Sequence, residues 1–114
     1  MIEKCGFRKM EIEGRVYTSD LMILPSGEIA DGWRRIHGHR LVLEDIQRML
    51  ASRPGIIVAG TGIYGRMRIE PALEAYLTDS GIELIAQPTK SAAQTFNDLI
   101  GGAKSVAGCF HLTC

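Results

Sequence analysis

Apolar and polar residues alternate through the first thirty positions. Met10, Ile12 and Val16 are interleaved with Lys9, Glu11 and Arg15, with a turn at Glu13-Gly14-Arg15. A period of two places alternate residues on opposite faces of a strand, so this stretch reads as a hairpin. A second hairpin follows. Leu21-Met22-Ile23-Leu24 leads into Pro25-Ser26-Gly27 and then Glu28-Ile29-Ala30; Pro presets φ and Gly accepts positive φ. After about residue 40 the period lengthens. Leu43, Ile46, Met49 and Leu50 fall on one helical face, and Arg53-Pro54-Gly55 stops that helix. Ile56-Ile57-Val58-Ala59 is short and continuously apolar, which suits a central strand covered on both faces. A second helix is expected from about Glu70 to Asp79, with Pro71 in its first turn, Gly81 at its end, and Leu73, Tyr76 and Leu77 as its stripe. A strand at Ile82–Ala86 ends before Pro88. A third helix runs from about Lys90 to Ile100, with Thr89 or Ser91 as its cap. Its buried face is Ala92, Ala93, Phe96, Leu99 and Ile100, and Gly101-Gly102 closes it. The last strand spans about Ser105 to Leu112.

Hairpins followed by α-β-α-β-α-β describe an α/β fold, a sheet with helices on its faces. The 114 residues form one domain, 1–114, with no repeat or linker dividing it. Apolar residues make up 46% and aromatics only 6%, so the core is mostly aliphatic. Thirteen Lys and Arg balance thirteen Asp and Glu. No net field attracts a polyanion, which argues against nucleic acid and an anionic membrane surface as partners. No apolar run is long enough to cross a bilayer. The opening Met1-Ile2-Glu3-Lys4-Cys5 is not a signal peptide, so the cytoplasm is the expected compartment. Cys5, Cys109 and Cys114 do not make a disulfide framework.

Gly60-Thr61-Gly62-Ile63-Tyr64-Gly65 matches G-x-G-x-x-G and follows a buried strand. Three features argue against a dinucleotide site. The next helix starts near Glu70 rather than inside the loop. Glu83 falls at the start of the following strand, not at its far end where a ribose-binding acid belongs. The second half of a dinucleotide fold is missing. A narrower reading remains: the loop amides form an anion nest, with Arg66 and Arg68 as charge-assisted donors. The alternative is a tight turn packed against a neighbouring strand, with the arginines on a solvated edge.

Other chemistry is weaker. Cys109 and His111 share a strand face, but no orienting carboxylate adjoins them in sequence. Zinc would need His37 or His39 to join them from a distant segment. No metal and no cofactor is therefore expected, and no catalytic set is assigned. Trp33-Arg34-Arg35 and His37-Gly38-His39-Arg40 form a locally basic stretch. It reads either as a partner-docking surface or, preferably, as a strand whose Trp33 covers the core rim while its arginines face water.

Three segments together carry a resemblance: Val58-Ala59-Gly60-Thr61-Gly62, then Pro88-Thr89-Lys90-Ser91-Ala92-Ala93-Gln94-Thr95-Phe96-Asn97-Asp98-Leu99, then Val106-Ala107-Gly108, with Asp31-Gly32-Trp33 also similar. The chain resembles a small uncharacterised domain family. Its eukaryotic members include a mitochondrial assembly factor for respiratory complex I and an adipogenesis-associated protein. Gly101-Gly102-Ala103-Lys104 and Gln87 depart from its pattern. The resemblance implies a three-layer domain with a central mixed β-sheet flanked by helices. It also implies action through protein partners. By position, Gly60, Thr61, Gly62, Thr89, Thr95 and Asn97 match the motif and are expected to line a common pocket, joined by Arg66 and Arg68. The leading expectation is thus a binding or assembly-type domain with a protein partner and a small anion-accepting pocket; the alternative is a small enzyme acting on an anionic metabolite.

Overall fold

The computed structural model describes all of residues 1–114. Ten strands and three α-helices follow one another: β1 (Ile2–Gly6), β2 (Lys9–Ile12), β3 (Arg15–Tyr17), β4 (Leu21–Ile23), β5 (Ile29–Asp31), β6 (Arg40–Leu41), α1 (Gln47–Ala51), β7 (Ile56–Gly60), β8 (Arg68–Ile69), α2 (Pro71–Asp79), β9 (Glu83–Gln87), α3 (Thr89–Leu99) and β10 (Val106–Phe110). The central sheet has five strands in the order β5-β4-β10-β7-β9. β7 runs parallel to both β10 and β9, while β4 runs antiparallel to β10 and β5. The sheet is therefore mixed, as the alternation of elements predicts.

Side-chain alternation on β7 divides the core into two layers. Ile56 and Val58 face one way, with Val106 and Phe110 from β10, and pack under α3 and the antiparallel sheet β1-β2-β3. Ile57 and Ala59 face the other way, with Ala107 and Cys109, and pack against Met49 of α1 and Leu73 and Leu77 of α2. The continuous apolar run 56–59 is thus explained: every position is covered. Helices flank the sheet on both sides, with one layer completed by strands rather than by a second helix.

Local signals account for most boundaries. Glu13 (φ 50) and Gly14 (φ 79) make the primed two-residue turn between β2 and β3, matching the twist of a hairpin. Pro71 opens α2, and Gly81 follows its end at φ 73. Several expectations need correction. β1 was not anticipated; it pairs with β2 across a bulge near its start. The helix expected over Leu43–Leu50 is a 3-10 turn at Leu43–Ile46 followed by the short α1. Neither Thr89 nor Ser91 caps α3; Pro88 occupies that position, and no side chain caps the helix. Thr89 turns away instead, for a reason given below. The basic stretch is not a strand before Arg40 either: Trp33 is buried as expected, but Arg35 turns inward.

Candidate functional site

The Gly-rich loop leaves the C-terminal end of β7 and meets the start of α3 and the chain segment after β10. Its first half is closed. A Cβ at Gly60 would lie 2.9 Å from Thr89 Oγ1 and 3.0 Å from Phe110 Cδ1. A Cβ at Gly62 would lie 2.3 Å from the Cys114 carbonyl carbon, and Gly62 has φ +111, a region that disfavours side chains. The glycines are required by close packing. The Thr61 amide donates to Gln87 O (2.9 Å), the Gly62 amide to Thr89 Oγ1 (2.8 Å) and the Ile63 amide to Thr113 O (2.6 Å). The Thr89 hydroxyl in turn donates to His111 O (2.6 Å). Thr89 is fully buried, and its hydroxyl accepts one of these bonds and donates the other. These amides have no capacity left for an anion. None of the four cavities is bounded by Gly60, Thr61 or Gly62. The expected nest is corrected to a structural knot.

The second half of the loop is open. Tyr64 is 65% exposed and Phe7, from the β1–β2 turn, is 48% exposed, yet their rings lie 6.2 Å apart at 42°. Arg66 stands over the Tyr64 ring at 5.8 Å and Arg8 over the Phe7 ring at 5.7 Å. Neither arginine holds a carboxylate, whereas Arg35, Arg40 and Arg48 each do. The backbone holds the group in place. The Arg8, Ile63 and Arg66 amides donate to Leu112 O, Thr113 O and Cys114 O. Residues 112–114 therefore run between the two turns and fasten both. Arg8 sits at φ 57, left-handed space that an arginine occupies only when its surroundings impose it.

Behind the knot lies a polar cluster. Asp20 Oδ2 is 2.7 Å from His111 Nδ1 and 2.9 Å from Arg35, and Asp20 Oδ1 accepts from the Leu112 amide at 2.7 Å. His111 Nδ1 also lies 3.0 Å from Arg35 Nη2, so Asp20, Arg35 and His111 meet in one three-way contact. Burial pushes the Asp20 carboxyl up, but the hydrogen bonds from His111, Leu112 and Arg35 more than offset it and hold it below the ordinary carboxylate value. The Arg35 and His111 side chains are nearly enclosed. Cys109 is fully buried, and desolvation pushes its thiol up to about 12, only partly opposed by Arg35. It is not a nucleophile at neutral pH. Cys5 is also raised by burial, with Lys90 opposing. No group of three His, Cys, Asp or Glu side chains could hold a metal.

The sequence-derived residues separate into distinct places. Gly60, Thr61, Gly62 and Thr89 form the knot. Arg66 belongs to the exposed aromatic group. Arg68 lies in the small parallel pair β6–β8, where its amide donates to His39 O. The Thr95 hydroxyl donates to Gln87 Oε1 (2.6 Å). Asn97 clamps β1 to α3, accepting from the Ile2 amide and donating to its carbonyl. They do not line one pocket. The reading of residues alone missed Phe7, Arg8 and Tyr64. Arg8 follows an aromatic in a two-residue turn and gives no periodic signal, and Tyr64 occupies a variable position of the glycine pattern.

Fold and site define a small mixed α/β domain with a closed glycine loop. Residues 2–111 match the family described as protein of unknown function (DUF498/DUF598). The chain belongs to this family. It is similar to a conserved hypothetical protein of Pyrococcus horikoshii OT3, 30% identical, with a TM-score of 0.90 over 100% of this chain and 99% of that one. A protein of Bartonella henselae described as an outer membrane protein is 23% identical over 99% and 94%, with a TM-score of 0.79. A Mth938-like domain of Bordetella pertussis is 17% identical over 98% and 85%, with a TM-score of 0.67. At those identities the last two speak for the fold alone. No helix is long and apolar enough to cross a membrane.

Proposed function

We propose that this domain is a protein-binding or assembly-type module whose docking face is the Phe7–Arg8–Tyr64–Arg66 group. The observation that carries the reading is the pairing of two exposed aromatics in tilted contact, each under its own uncommitted arginine, on turns fixed by backbone hydrogen bonds. Tyr and Arg dominate the energetic centres of protein interfaces, and rigid presentation lowers the entropy lost on binding. The two free guanidinium groups favour an acidic segment of the partner, which they engage by charge-assisted hydrogen bonds. Family resemblance supports the same reading, since the eukaryotic complex I assembly factor and adipogenesis-associated members act through protein partners. A cytoplasmic setting is proposed with it. The zero net charge speaks against a nucleic-acid strand as the occupant.

An enzyme acting on an anionic metabolite is the competing reading. Its nearest candidate groups, Cys109 and His111, are both buried, at 0% and 4% exposure, which leaves a substrate no reacting atom to reach.

A random peptide display selection tests the proposal. Wild type should enrich peptides carrying Asp or Glu beside an apolar residue. Tyr64→Ala and Arg66→Glu should lose those peptides while keeping wild-type circular dichroism. Selection without acidic enrichment, or identical peptides from both variants, overturns the reading. So does tighter binding of a single-stranded oligonucleotide that the same variants abolish.

A further inference from the structure

On the face of the central sheet covered by α3 and the N-terminal sheet, Val106 (6%), Ile23 (5%), Phe96 of α3 (4%) and Ile12 of β2 (3%) are buried but keep small exposures. They line a partly open cavity of about 240 Å³ between the N-terminal sheet, the β4–β5 hairpin and the C-terminal end of α3. Nine of its thirteen lining residues are hydrophobic, with Ile29 and Ile100 near the opening.

We propose that this cavity is a binding site for a small neutral hydrocarbon-rich molecule. Size comes first. An engineered cavity of roughly 150 Å³ lined by aliphatic and aromatic side chains stays dry and takes up benzene or xenon; this one is larger. Chemistry comes second. The one carboxylate at the wall, Glu13, is solvent-exposed and paired with the N-terminal amine, and the buried part of the wall carries no charged side chain. Burying an unpaired charge among these isoleucines is strongly unfavourable, so the site selects neutral over ionised ligands. Arg8, Tyr64 and Arg66 are not among the lining residues, so the site stands independently of the docking face.

Methyl NMR with toluene as the probe and benzoate as its charged counterpart tests the assignment. The Ile23, Ile29 and Ile100 methyl resonances should move saturably with toluene and stay put with benzoate. Ile29→Phe fills the space from the hairpin, and Ile100→Phe fills it from α3; each should weaken toluene binding by at least about tenfold. Having two variants on separate elements guards against one failing to fold. No saturable movement at these methyls overturns the proposal, as does undiminished binding in both folded variants or equal binding of benzoate. A concentration-dependent shift of the same methyls without any ligand overturns it too, because a second copy of the chain would then be the occupant.

Discussion

Two regions of one loop, four residues apart, behave in opposite ways. The knot at Gly60–Gly62 is enclosed by Thr89, Phe110 and Cys114, and its amides are spent on neighbouring segments. The rim at Tyr64–Arg66 stands in solvent with Phe7 and Arg8. The glycines serve the first region and the aromatic and arginine side chains the second. A glycine-rich pattern after a parallel strand therefore marks close backbone approach here, not a ligand cradle. What it achieves for function is indirect: by locking the loop's base against α3, it fixes the direction in which Tyr64 and Arg66 project.

The largest expected effect comes from breaking the knot. Gly62→Ala places a Cβ into the Cys114 backbone at a φ that strains any side chain, and should cost on the order of 4 kcal/mol from strain and overpacking together. Urea unfolding would read it as a large fall in midpoint. Next is the polar cluster that anchors the knot through His111. Asp20→Asn leaves Arg35 and His111 without their anion and should cost roughly 3 kcal/mol at neutral pH. The pH dependence has a definite sign. Asp20 titrates lower folded than unfolded, so its stabilisation is full above the unfolded carboxylate value, about 3.9, and is lost as pH falls through the folded one. Acid unfolding of the wild type should therefore be steeper below about pH 4 than that of Asp20→Asn. The smallest effect belongs to the rim. Arg8→Gly relieves left-handed backbone and should raise stability by about 1 kcal/mol while weakening partner binding. A variant that gains stability and loses its peptides would separate the rim's role from packing; a loss of stability would show that Arg8 braces the fold.

Elements with a strong period were legible in the sequence. The run 56–59, the Pro71-to-Gly81 helix and the hairpin at Glu13-Gly14 each carry local signals that tertiary packing reinforces. The failures share a cause as well. β1 was hidden because Glu3 and Lys4 are both exposed, so no alternation shows. The spacing of Thr89 fits a helix cap, yet a bond to a residue 27 positions away claims its hydroxyl. Asp20 and His111 are 91 residues apart, and nothing local relates them. The site failed for the same reason: six motif positions share a sequence pattern, but Asn97 braces Ile2, Thr95 holds Gln87 and the glycines pack on Thr89. Motif spacing reports what each residue does for its own neighbours and not whether they converge.

The middle strand of the central sheet, β10, follows every other strand in the sequence. Before residues 106–110 are in place, the β4–β5 hairpin and the parallel pair β7–β9 have no edge in common, because β10 is the only strand that bonds to both β4 and β7. A ribosome delivering this chain thus releases two half-sheets with open edges, and closure waits for the final segment to slot between them. Contacts of such long sequence separation make for slow, all-or-none assembly, and they leave the unfinished chain most exposed to mispairing just before synthesis reaches that strand.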